Sequence, residues 1–199
     1  MDEKLDSKTL DLALQSLDIR LAENRAEPVE IVVCGGSALI LTGVVPRSTK
    51  DVDVVALIRG SVLVSPDPLP GELQKASSEV AEDLGLSSDW LNNGPSHGEG
   101  GLFQMGLPDG FAQRLRSKRY GAHLIVHFID RVDQVHFKLY AAADRGGYHV
   151  EDLRALDPSP DELEAAARWA MTHDVSEGFV MVLKRLLRSL GYASVADRF

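Results

Sequence analysis

The junction where Val29-Glu30-Ile31-Val32-Val33-Cys34 runs into Gly35-Gly36 constrains this chain more than any other stretch. Six residues rich in β-branched side chains are too few for a stable helix and suit a buried strand. Two glycines at its end let the backbone turn sharply and approach another group closely. Ser37 to Thr42 then reads as a brief helix stopped by Gly43, so the unit is strand, tight turn, helix. A second strand is expected from Asp51 to Ile58, with Val52, Val54 and Ala56 on one face and Asp51, Asp53 and Val55 on the other. Ala122 to Ile129 reads as a third.

Around these strands the periodicity is helical. Leu10, Leu14, Leu17 and Leu21 form one stripe of a first helix, with Asp6 or Ser7 as its cap. Ser65 to Pro70 is a loop, and Gly71 to Leu84 returns to helical spacing through Leu73, Ala76, Val80 and Leu84. Asn92 to Gly101, rich in Asn and Gly, reads as the most flexible stretch: a substrate lid or a plain connection. From Asp133 onward the chain reads as helices over Val135–Ala143, around Glu151–Leu156, over Pro160–His173 and over Glu177–Leu190, with Ser159 capping and Pro160 in the first turn. The expected class is α+β: a mixed, twisted sheet of about four or five strands flanked by helices, then a C-terminal helical bundle. Residues 1–133 would form the α/β core, and 134–199 a helical region completing a cleft.

With 199 residues the chain can bury a substantial core. Met1-Asp2-Glu3-Lys4 lacks the cationic and then apolar pattern of a signal peptide, and the apolar run Ile31 to Val45 is too short to span a bilayer, so a cytoplasmic protein without a membrane partner is expected. The single cysteine, Cys34, excludes an intrachain disulfide and reads as a small buried hydrophobe. A formal net charge of −9 argues against indiscriminate nucleic-acid binding. Positive charge is nevertheless concentrated in Arg114-Leu115-Arg116-Ser117-Lys118-Arg119 and in Lys184, Arg185 and Arg188; each cluster reads either as a solvated helix face or as a phosphate-binding patch.

The chemistry is carried by the first two strands together. Ser37 opens a helix just after the glycines, where N–H groups and the helix dipole favour a phosphate. Asp51 and Asp53 share one strand face, roughly 6.6 Å apart. Both carboxylates could then hold Mg²⁺ (or Mn²⁺) together with triphosphate oxygens. Other glycine motifs fail: no Lys-Ser/Thr completes a P-loop, no G-x-G-x-x-G is present, and Leu39 breaks a G-x-S-x-G elbow. Arg47 reads as a clamp on phosphates or as a tie between its loop and Asp51. Lys138, within apolar helix residues, reads on its own as a snorkelling surface lysine or as a site residue. His123, His127 and His136 lack the cysteine or spaced carboxylate that would complete a zinc set. Trp169 and Phe179 are expected to pack the C-terminal helices, and Trp90 to anchor the loop beside it.

Gly35-Gly36-Ser37 followed by Arg47-Ser48-Thr49-Lys50-Asp51-Val52-Asp53 resembles the AbiEii/MenT-type nucleotidyltransferases, toxins of bacterial toxin–antitoxin pairs within the polymerase-β superfamily. Phe137-Lys138-Leu139-Tyr140-Ala141-Ala142-Ala143-Asp144-Arg145 and Val150-Glu151-Asp152-Leu153 carry the likeness further. Leu107-Pro108-Asp109-Gly110-Phe111 and Pro160 to Trp169 are similar to the DUF6036-like branch, and the resemblance covers residues 29–170. It implies the polymerase-β-type fold and transfer of a nucleotide from NTP, with release of pyrophosphate, chiefly to tRNA 3′ ends. It further implies that Gly36 and Ser37 bind phosphate, that Asp51 and Asp53 bind metal, and that Lys138 contacts the triphosphate; Gly35 and Arg47 join them as candidate nucleotide-binding residues. Asp152 matches a family acidic residue and would act as base or as orienter of the acceptor hydroxyl. A cognate antitoxin is the implied protein partner.

This chain departs from that pattern in two places. The strand Ala122–Ile129 carries His123 and His127, with Asp130 beyond its end, where many relatives have a third carboxylate. Tyr148-His149 stands where relatives often have Lys-Asp. The expected acceptor is RNA, with Arg114, Arg116, Lys118 and Arg119 along its backbone. Two other readings stay open: nucleotidyl (AMP) transfer to a protein hydroxyl, and a catalytically inactive nucleotide-binding module.

Overall fold

The computed structural model describes residues 5–45 and 48–199, and the chain divides into two compact units, Met1–Ile129 and Asp130–Phe199. Arg47 lies outside the described residues. The first unit opens with α1 (Ser7–Glu23), whose Asp6 cap accepts from the Thr9 N–H at 2.8 Å. Leu10, Leu14, Leu17 and Leu21 are all fully buried, as the stripe predicts for a helix whose stability comes from tertiary packing. α1 packs on α3 (Gly71–Leu84), and Arg20 ties the two together through Asp83 at 3.0 Å from Nε.

The sheet is mixed and six-stranded, more than the sequence reading counted. Its strands are β1 (Val29–Cys34), β2 (Val52–Arg59), β3 (Val62–Val64), β4 (Leu91–Asn92), β5 (Arg116–Arg119) and β6 (Leu124–Phe128). The order is β3-β2-β1-β6-β5, with β4 added parallel to β2. β1 runs antiparallel to β2 and parallel to β6. The short strands β3, β4 and β5 carry too little apolar alternation to be read from sequence. Arg116-Ser117-Lys118-Arg119 has no apolar residue at all and is an exposed edge strand, not the face of a helix. Charges on such an edge oppose edge-to-edge association.

One register shift matters for the site. Val32 pairs with Ala56 but Val33 pairs with Val54, so β2 carries a bulge at Val55. The strict alternation expected along β2 therefore breaks: Val54, Val55 and Ala56 are all fully buried, and Val55 does not share an exposed face with Asp53. The Val55 carbonyl accepts from the Ser96 hydroxyl at 2.8 Å.

The Asn92–Gly101 stretch is not the loose loop that its composition suggested. Asn93 donates to the Pro66 carbonyl (3.1 Å) and to the Asp67 carboxylate (3.0 Å), and the Gly98 N–H donates to Asp67 at 2.8 Å. Ser96, fully buried, ends a single 3₁₀ turn over Gly94–Ser96. Trp90, just ahead of β4, is fully buried with its indole N–H on the Ser77 carbonyl at 2.9 Å. Hydrogen bonds to side chains far away in sequence supply what local propensity lacks.

The second unit is helical: α6 (Arg131–Arg145), α7 (Tyr148–Ala155), α8 (Pro160–His173), α9 (Glu177–Ser189) and α10 (Ala193–Ala196). Ser159 and Glu162 form a reciprocal capping box at the start of α8, with Pro160 in its first turn. Trp169 stacks on Phe137 at 5.6 Å and meets Tyr140 at 6.1 Å, while Phe179 lies 5.7 Å from Tyr140. The basic cluster of α9 is used within this unit: Arg188 pairs with Asp197 at 2.6 Å, and Lys184 donates to the Phe199 carbonyl. Among the described residues, no helix is long and apolar enough to cross a membrane.

Candidate active site

β1 delivers the chain to the glycine turn, and α2 (Gly35–Leu41) begins there, two residues before Ser37. Gly35 sits at φ +70°, a conformation that strains any side-chain-bearing residue. A Cβ at Gly35 would also lie 2.5 Å from Asp53 Oδ2, closer than real Cβ contacts come. Asp53 pairs with Cys34 across the β1–β2 ladder, so the turn and the carboxylate are neighbours by register. Gly35 thus serves two needs at once, the left-handed turn and the room for Asp53. Gly36 follows it, buried within α2.

Ser37 is fully buried and donates to the Cys34 carbonyl at 3.2 Å. Its hydroxyl is therefore part of the turn's internal bonding. Cys34 is buried, as expected of a small hydrophobe.

Asp51 and Asp53 are both half-buried at the start of β2, with Asp51 one residue ahead of the strand. Thr49 donates to Asp51 Oδ1 at 3.3 Å, and Thr49 is itself held by a two-way backbone bridge to Leu5 at 2.8 and 2.9 Å. Asp53 is flanked on its other side by Asn92 of β4. Two water-accessible carboxylates two residues apart are hard oxygen donors of the kind that hold Mg²⁺ together with substrate phosphates. Among the described residues, no group of three or more His, Cys, Asp or Glu side chains is arranged to hold a metal.

The second unit holds the other two expected site residues, and there the structure excludes one of the two readings of Lys138. Lys138 is not a snorkelling surface lysine. Its side chain is 5% exposed and its Nζ lies 2.7 Å from Asp152 Oδ2, whose side chain is 4% exposed. Lys138 comes from α6 and Asp152 from α7, fourteen residues later, so the pair joins the two helices. Tyr148, at the start of α7, lies 5.7 Å from Lys138 Nζ across its ring face. No sequence signal announced the pairing, because both residues fall on faces whose partner is set only by how α6 and α7 pack. Asp130 caps α6, accepting from the Val132 N–H at 3.1 Å.

The three histidines are spent separately. His123 Nδ1 meets the Ala26 carbonyl at 2.9 Å, His136 Nδ1 meets the Val132 carbonyl at 2.8 Å, and His127 lies between Ser117 and Glu30. On the basic strand, Lys118 meets Asp11 of α1 at 2.7 and 2.9 Å, and the Tyr120 hydroxyl donates to the same carboxylate at 2.7 Å. Burial pushes the Asp11 carboxyl up, but the bonds from Lys118 and Tyr120 outweigh it and hold the group below its usual range.

Residues 12–92 match the family described as "nucleotidyltransferase of unknown function (DUF6036)", a span that runs from α1 to β4 and contains Gly35, Gly36, Ser37, Asp51 and Asp53. No curated protein and no solved structure matches the chain. Over this first part, and with its mixed α+β architecture, the chain is similar to a nucleotidyltransferase family.

Proposed function

We propose that this chain is a metal-dependent nucleotidyltransferase that moves NMP from an NTP to an RNA acceptor, the 3′ end of tRNA, as the toxin of a toxin–antitoxin pair. The observation that carries the chemistry is the packing of Asp53 Oδ2 against the position that only a glycine at 35 leaves open, within the span that matches a nucleotidyltransferase family. The acceptor and the toxin role rest on the resemblance described above.

In this reading Asp51 and Asp53 hold Mg²⁺, which when bound would neutralise triphosphate charge and polarise the reacting phosphorus. The Gly35-Gly36-Ser37 turn brings backbone close to the triphosphate. Lys138 and Asp152 hold α7 on α6, and a contact from Lys138 to the triphosphate requires their pair to open. Arg116 and Arg119 on the exposed β5, with Arg114 just ahead of it, supply cations for the acceptor backbone, while Lys118 contributes once released from Asp11.

The test is transfer of label from each α-labelled NTP, with Mg²⁺, onto total tRNA, with Asp51→Ala/Asp53→Ala run beside the unaltered chain. Label on RNA that disappears in the variant supports the proposal and names the nucleotide. Equal label from both proteins, or label on no acceptor, overturns it.

A further inference from the structure

Three strands of the sheet in the first unit bring together a serine, a histidine and a carboxylate that the proposed reaction does not use. The Ser117 hydroxyl on β5 lies 2.8 Å from His127 Nδ1 on β6, and His127 Nε2 lies 2.8 Å from Glu30 Oε2 on β1. The register explains the contact. Ser117 is paired with His127, and because the Tyr120 N–H bonds the Leu124 carbonyl three steps along the ladder, the 117–127 pair falls at a position without hydrogen bonds between the strands. Side chains at such positions approach most closely. Glu30 sits one strand over and two residues back from Val32, the β1 partner of His127, so all three side chains share a sheet face.

The direction of the bonds follows from the chemistry of the groups. An ionised carboxylate only accepts, so Nε2 carries the hydrogen facing Glu30, and in the neutral ring Nδ1 is left to accept from the Ser117 O–H. The imidazole is nearly buried, its side chain 11% exposed, while Ser117 is exposed. A held base behind an exposed hydroxyl is the arrangement that activates serine as a nucleophile. Arg119, two residues along the strand, shares that face, and Arg116 and Lys118 flank the serine in sequence, so the hydroxyl lies within a basic strand suited to an incoming phosphate.

We propose that Ser117 is a nucleotidyl-acceptor hydroxyl, modified by a second copy of this chain. The proposal rests on nucleotidyl transfer being this chain's reaction. Ser117 Oγ attacks the α-phosphorus of a nucleoside triphosphate, its proton passes to His127 Nδ1, and the bond to the β-phosphate oxygen breaks to release pyrophosphate. The product is a Ser117–O–NMP phosphodiester. Transfer within one copy is ruled out by distance: β5 lies three strands from β2, about 14 Å across the sheet, whereas reacting atoms must come within about 3.5 Å.

The experiment mixes two variants with α-labelled NTP and Mg²⁺. The donor is Ser117→Ala, which keeps Asp51 and Asp53. The acceptor is Asp51→Ala/Asp53→Ala with a size tag, which keeps Ser117. Label on the tagged chain, mapped by mass spectrometry to Ser117 and seen only when donor is present, is the expected result. In the acceptor, His127→Ala should slow labelling about a hundredfold or more. Glu30, a positioning residue, should show loss in Glu30→Ala and recovery in Glu30→Gln, whose amide oxygen still accepts from Nε2. Donor that labels RNA but leaves Ser117 unmodified overturns this inference alone. Donor that labels neither RNA nor protein overturns the nucleotidyl-transfer reading and this inference with it.

Discussion

Asp53 and Asp152 are both carboxylates singled out by the sequence, yet the chain treats them in opposite ways. Asp53 is half-buried beside a second carboxylate, Asp51, with a glycine opposite it that leaves its oxygen room. Asp152 is buried against Lys138 at 2.7 Å. The difference follows from electrostatics. Two like charges kept near water suit a cation delivered with a ligand. A carboxylate taken out of water is tolerated only with an opposite charge and good geometry, and removing one partner leaves the other stranded. The first site should therefore be fragile in activity and robust in stability, and the second the reverse.

The sharpest way to break that contrast is at Asp152. Asp152→Ala should lower the unfolding free energy by about 3–5 kcal/mol, measured by urea denaturation of the unaltered chain and the variant. The double change Lys138→Met/Asp152→Leu should recover most of the loss, because an apolar pair of similar volume carries no stranded charge. A single variant as stable as the parent would show that the pair is not the structural tie described here.

At the first site the order of effects should invert. Asp53→Ala should reduce nucleotidyl transfer roughly a hundredfold to a thousandfold, corresponding to the several kcal/mol a bound metal contributes to charge stabilisation. Its unfolding midpoint should hardly move. Gly35→Ala should lose activity to a similar degree while costing about 1–2 kcal/mol of stability for its left-handed backbone. Retained activity in Gly35→Ala would sink the idea that the glycine exists to clear Asp53.

A smaller effect belongs to the loop beside β4. Ser96→Ala removes the hydroxyl on the Val55 carbonyl and should cost about 1–3 kcal/mol, with faster amide exchange expected around Gly98 and Gly101. Weakest of all is Asp67. The Gly98 N–H, opposed by burial and helped by His97 and Asn93, holds its carboxyl below the usual range. A carboxyl lowered in the folded chain stabilises above its unfolded value, about 3.9, and loses that contribution as pH falls through the folded value. Asp67→Asn should flatten the decline in melting temperature between neutral and acid pH; an unchanged decline would count against its role as the loop's anchor.

How much of this was legible beforehand varied with how local each cause is. The stripe Leu10, Leu14, Leu17 and Leu21, the Ser159–Pro160 start of α8 and the bounds of α3 follow from spacing and capping chemistry within one element. The turn at Gly35-Gly36 and the paired Asp51 and Asp53 were likewise readable, since glycine and a two-residue carboxylate spacing each have a short-range meaning. The edge strand β5 was hidden, because Arg-Ser-Lys-Arg has neither β propensity nor apolar alternation and becomes a strand only by pairing with β6. The order of the Asn92–Gly101 stretch was hidden for the same reason: Asp67, about thirty residues earlier, supplies its bonds.

By itself, then, the sequence determined where chain direction changes, which helices have a buried stripe and which strands end on chemistry-bearing residues, since these depend on neighbours a few positions away. Tertiary structure alone decided that Lys138 meets Asp152, that Gly35 faces Asp53 Oδ2, that Val55 is bulged, and that Ser117, His127 and Glu30 fall in line. Each of these is a pairing of side chains or backbone from separate elements. Register and packing choose such partners, and a period of 2 or 3.6 residues names a face without naming what it meets.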